Sequence, residues 1–146
     1  MDNFEIFMRL GIAALAGVVL GLNRDLRGKP TGVRTLGLVG LASAMVVLAA
    51  APTEAGAASR VIQGIVTGIG FLGAGVILRD DVGKRVHGLT TAACVWLTAC
   101  VGAACAVGEI RIILLSAPVV FAILIFGGPI EKYLRRHWPM QDDGSD

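Results

Sequence analysis

Polar residues in this chain are bunched, and long apolar stretches run between the bunches. Charges gather near residues 2–9, 24–34, 79–85, 109–111 and 131–146, with Glu54 and Arg60 between the second and third groups. The intervals have the length and composition of membrane spans, about 20 apolar residues for a hydrocarbon core about 30 Å thick. They predict five helices, at about 4–22, 35–50, 60–78, 89–107 and 110–126. Between the first two, NRDLRGKPTGVR carries Pro30 with Gly28 and Gly32 and reads as a loop. Pro52 and TEAGAAS mark a second loop, RDDVGKRVHG a third, and Gly127, Gly128 and Pro129 the end of helix five. The fold class is therefore all-α, a compact bundle of about five transmembrane helices. Residues 1–130 form the membrane domain and 131–146 a short polar tail.

The run IQGIVTGIGFLGAGVIL, residues 62–78, stands out because it is uncharged and holds Gly64, Gly68, Gly70, Gly73 and Gly75. Each glycine costs a helix in water roughly 1 kcal/mol against alanine. In a bilayer an unpaired backbone has no water to turn to, so the helix is enforced, and glycine then lets another backbone come close. At 100° per residue Gly64, Gly68 and Gly75 share one stripe, with Gly70 and Gly73 on the far side. This predicts a central helix gripped by two neighbours. Gly17 and Gly21 form a GxxxG pair on helix one, a second close-packing face. Such faces predict a homo-oligomer.

Lysine and arginine give the orientation. Ten lie on one side: Arg24, Arg27, Lys29 and Arg34 in the first loop, Arg79, Lys84 and Arg85 in the third, and Lys132, Arg135 and Arg136 in the tail. Arg9, Arg60 and Arg111 lie on the other. The positive-inside rule puts the N-terminus outside and the C-terminus inside. Asp2 and Glu5 stand where a signal peptide needs positive charge, so helix one is expected to be retained. Tyr133 and Trp138 suit the headgroup level. GVRTLGLVGLA from Gly32 and GKRVHGLTTAA from Gly83 agree at five of eleven positions, a hint of repeated hairpins against a Gly/Leu/Ala-rich background.

Composition narrows the function classes. Charged residues are 16% of the chain, against about 25% in soluble domains. A net charge of +2 and no aromatic-interleaved basic patch argue against nucleic acid. Cys94, Cys100 and Cys105 sit in one apolar run with no His or carboxylate at helical spacing, and read as small packing residues rather than a metal or redox site. No cofactor, metal site or catalytic residue is expected, and the chain reads as not an enzyme. All eleven acidic residues lie in loops, tails or helix ends. A polar path through helices three and four would have to use Gln63, Thr67, Thr90, Thr91 and Thr98. Hydrogen bonds to neighbouring helices account for the same residues. The basic loop, with Asn23, Arg24, Asp25, Arg27, Lys29 and Arg34, sets topology and also suits anionic headgroups or a docked partner.

Three segments, GLNRDLRGKPTGVRTLGLVGLAS, SRVIQGIVTGIGFLGAGVILR and VHGLTTAACVWLTACVG, resemble in order and spacing the MgtC/SapB family of bacterial inner-membrane proteins. GIGFLGAG ahead of GLTTAA is the most specific part. The resemblance implies a small polytopic bundle in the cytoplasmic membrane. It also implies a role in growth under magnesium limitation and in survival inside macrophages, exerted by modulating other membrane systems. The family usually has Glu-Arg where this chain has Asn23-Arg24. Its virulence-type members often have Asn where this chain has Thr90, and an acidic residue common shortly before the arginine matching Arg60 is absent. Many members carry a soluble C-terminal domain, so this chain resembles a short form. The expected function is that of a non-enzymatic regulator acting on other inner-membrane proteins. The alternative is a transporter or channel for an ion or small solute through helices three and four.

Overall fold

The computed structural model describes residues 1–79 and 86–137. Lys84, Arg85 and Trp138, used above for orientation and headgroup depth, lie outside that range. Among the described residues there are five helices: α1 (Asn3–Asp25), α2 (Val33–Ala50), α3 (Ala57–Gly75), α4 (Leu89–Val107) and α5 (Ile110–His137). All five are long and apolar enough to cross a membrane. Two short strands, β1 (Leu78–Arg79) and β2 (Val86–His87), pair antiparallel with Leu78 opposite His87. Gly88 follows with φ +94°, and a side chain there would run into the carbonyl of Val76. Only glycine supplies that conformation without strain.

The chain divides into two units, Met1–Ile110 and a second from Arg111 onward. In the first, α4 packs on α1, α2 and α3, while α3 packs mainly on α4. Half of the α4 span is buried and about a tenth of α3, 50% against 11%. The central helix is thus α4, not α3. The reason lies in which small residues meet. A Cβ on Gly102 of α4 would overlap the backbone carbonyl of Gly40 on α2, and one on Gly40 would lie 2.6 Å from the Ala13 carbonyl of α1. Three backbones converge there as only glycine permits. On α1 the buried positions are Ala13, Gly17, Leu20, Gly21 and Arg24, one stripe at helical spacing.

The observed helix ends differ from the expected ones in instructive places. α1 continues past Leu22 to Asp25, because its buried stripe extends through Arg24. α3 stops at Gly75, and Leu78 belongs to β1. α2 begins directly after Gly32, whereas α4 begins only at Leu89, well past Gly83, so the two similar segments start their helices at different points.

The second unit is mainly the 28-residue helix α5, which runs through Pro118 and through Gly127, Gly128 and Pro129, where a stop was expected. A proline inside a helix loses one backbone bond and crowds the preceding turn. The apolar residues either side keep the helical hydrogen bonds that a bilayer demands, which outweighs that local cost. α5 passes residue 130, the expected domain boundary, without a break. Near its end the rings of Tyr133 and His137 stack at 4.2 Å.

Candidate functional site

Helices α1 and α4 lie antiparallel and are joined near both ends by arginines of α1. Arg9 pairs with Glu5 at 2.6 Å, one turn earlier on α1. It also donates through Nη1 to the carbonyl of Ala106, in the last turn of α4. A cation at a helix C-terminus satisfies free carbonyls and complements the dipole. Arg9 thus both pairs with Glu5 at i, i+4 spacing and ties α1 to the end of α4.

At the opposite end Arg24 donates through Nη2 to the hydroxyl of Thr91, in the first turn of α4. Arg24 is only 4% exposed. Its Nε has no hydrogen-bond partner, and neither has the buried Oδ1 of Asn23. Among the described residues no carboxylate pairs with Arg24. The neighbouring carboxylate of Asp25 instead accepts from the N–H of Val33 at 3.0 Å, capping α2 across the loop. Gly32 leaves room for that carboxylate, since a Cβ there would collide with it. Asp25→Ala is expected to lower stability by about 1 kcal/mol, the usual loss for a helix cap, read as a fall in thermal midpoint in detergent micelles.

The other loop residues Arg27, Lys29 and Arg34 are exposed. Arg34 borders two shallow depressions, one shared with Thr35, Leu38 and Val39, the other with Asp25, Gly32, Val33 and Thr35. The loop that reads as one basic cluster is thus split. Arg24 is withdrawn into the helix packing, Asp25 is a cap, and three cations face outward. The helical repeat carried the clue to Arg24, which lies seven residues after Gly17 and three after Gly21 on the same stripe.

The candidate polar residues are likewise divided. Thr91 and Thr98 are buried on α4, and Thr98 donates back to the Cys94 carbonyl at 2.7 Å. Gln63, Thr67 and Thr90 are exposed. The glycines fall into two groups. A Cβ on Gly17 would overlap the Leu36 carbonyl, and one on Gly21 would lie 2.6 Å from Val33. A Cβ on Gly73 would touch Ala92 at 3.5 Å, whereas on Gly64, Gly68, Gly70 or Gly75 it would meet nothing within 4 Å. Gly40 and Gly102, which no GxxxG pair marked, make the closest approach between α2 and α4. Among the described residues no three His, Cys, Asp or Glu side chains gather as a metal site would require.

Residues 10–133 match the MgtC family along most of the bundle. The chain belongs to the MgtC family. It is 40% identical to Protein SrpB of Synechococcus elongatus, over 96% of this chain and 82% of that protein. It is 39% identical to Protein MgtC of Salmonella typhimurium, over 76% of this chain and 47% of that protein. It thus spans about half the length of the Salmonella MgtC proteins it matches. No solved structure matches it. Family membership and five apolar helices make it a multi-pass membrane protein. The matched region contains the Arg24–Thr91 tie and the glycine contact between α2 and α4, and it begins one residue after Arg9.

Proposed function

We propose that this protein is a non-enzymatic regulator in the bacterial inner membrane, with its N-terminus outside and C-terminus inside. It modulates other membrane proteins during adaptation to magnesium limitation or related stress, and it works as a homo-oligomer. The family resemblance supplies the physiological setting. The observation that carries the mechanism is the division of its small and polar residues. Where α1, α2 and α4 meet, backbones touch at Gly40 and Gly102 and the buried threonines are engaged in internal bonds. The interior therefore serves packing. Gly64, Gly68 and Gly75 leave open space on one stripe of α3, which suits close lateral contact with another helix. Arg27, Lys29 and Arg34 present exposed charge for a partner at the inner surface.

Reconstitution in sealed liposomes tests this reading. Mg²⁺, Na⁺, K⁺ and H⁺ are expected to move no faster than through protein-free membranes. Selective flux that Gly68→Leu abolishes would replace the regulator with a transporter working through α3 and α4. Changing Arg27, Lys29 and Arg34 together to Gln is expected to remove co-purifying membrane proteins while the oligomer persists.

A further inference from the structure

Among the described residues, no carboxylate balances the charge that Arg24 holds. A guanidinium stays protonated in proteins, so burial cannot be relieved by losing the proton as it can for lysine or histidine. A buried charge is costly unless it is paired and hydrogen-bonded. Arg24 is 4% exposed, bonds a neutral hydroxyl, and keeps an idle Nε. Its other surroundings add positive potential. Thr91 is the third residue of α4, whose N-cap, Gly88, has no side chain to accept from the first-turn N–H groups. The N-terminus of a helix carries about half a positive charge. α1 ends beside Arg24 and its negative pole offsets part of this. However, carbonyls in its last turn already accept from the N–H groups of Leu26, Arg27, Gly28 and Lys29.

α2 shows the contrast. Its N-terminus also begins after a glycine, Gly32, yet Asp25 supplies a carboxylate to it. α4 has Arg24 in the corresponding place, where an anion would be stabilised and a cation is not. The Thr91 hydroxyl accepts from Arg24 and keeps its own hydrogen to donate. Leu89 and Thr90 are exposed, so the start of α4 is open to approach.

We propose that this end of the α1–α4 seam is an oxyanion site for a phosphate group. Arg24 and Thr91 are its side-chain donors, and the first turn of α4 supplies backbone N–H groups. A tetrahedral group has enough oxygens to meet all three kinds of donor. The phosphate belongs either to a phospholipid headgroup or to free inorganic phosphate, and both have the same chemistry at the site. The site is independent of the regulatory reading and stands whether or not the protein carries flux.

The test uses the full chain in phosphate-free, lipid-depleted maltoside micelles. Sodium phosphate is added in one arm and phosphatidylglycerol in the other. Sodium chloride at matched ionic strength and a phosphate-free glycolipid are the controls. One of the two probes is expected to raise the melting temperature by roughly 3 °C above its control. Arg24→Lys keeps the charge but loses the planar fork, and is expected to bind about 10-fold more weakly. A rise with the lipid alone identifies a headgroup, and a rise with inorganic phosphate alone identifies the free ion. No rise with either in the wild type overturns the proposal, with no need for a folded variant. It is also overturned if Arg24→Lys and Thr91→Val keep the full rise while Gln at Arg27, Lys29 and Arg34 removes it. In that case the exposed loop is the binder.

Discussion

Gly102→Val is expected to yield little folded protein, whereas Gly68→Leu is expected to fold normally and lose self-association. Both replace a small residue in a membrane helix, and sequence alone ranks Gly68 as the more sensitive. The surroundings reverse that order. A Cβ on Gly102 would enter the carbonyl of Gly40, and Ser43 stands 3.0 Å from the same point. Overpacking a core usually costs about 1–3 kcal/mol. Here the obstacle is backbone, which cannot rotate aside, so α2 and α4 must separate and the loss is expected at about 3 kcal/mol or more. Around Gly68 nothing lies within 4 Å, so leucine has space within the chain. Thermal unfolding in micelles reads the first effect and multi-angle light scattering the second. Wild-type melting of Gly102→Val would show that close approach does not hold α2 to α4. An unchanged mass for Gly68→Leu would remove α3 as the self-association face.

The two arginines of α1 are expected to respond in opposite senses to the same substitution. Arg9→Met removes the ion pair with Glu5 and the cation on the last turn of α4. Hydrogen bonds to charged groups contribute about 1.5–3 kcal/mol, and a helix-terminal charge adds up to about 1. Partial exposure of both side chains reduces this, so a loss of about 1–2 kcal/mol is expected. Arg24→Met removes a bond to Thr91 but also a buried charge that has no carboxylate partner among the described residues. Replacing buried charges with apolar groups of similar volume is often neutral or stabilising. In phosphate-free micelles this variant is expected to melt no lower than the wild type. A drop as large as that of Arg9→Met would show that Arg24 is already neutralised within the chain.

The membrane pattern was legible because it needs only one dimension. Apolar runs of span length, separated by charge, place five helices whatever their neighbours do, since a bilayer forces each run to satisfy its own backbone. The start of α4 and the end of α2 agree with that reading. The ends that moved depend on contacts. Arg24 reads as loop because it is charged and sits among charges, yet it falls on the α1 stripe and is carried inward with Gly17 and Gly21. Gly127, Gly128 and Pro129 read as a stop because their local preferences oppose a helix, and α5 continues through them.

What the sequence by itself determined is therefore the class of protein: a five-helix membrane bundle with small-residue faces, in a known family, with a basic loop at one end. Tertiary structure alone decided which faces meet. Glycine content identifies helices able to approach closely, but approach needs two partners, and only the packing pairs Gly102 with Gly40 and leaves Gly68 open. It also decided which arginine is balanced. Arg9 and Arg24 are alike as residues, and their difference comes from lying at opposite poles of α4, where the same positive charge is stabilised at the C-terminal end and left wanting an anion at the N-terminal one.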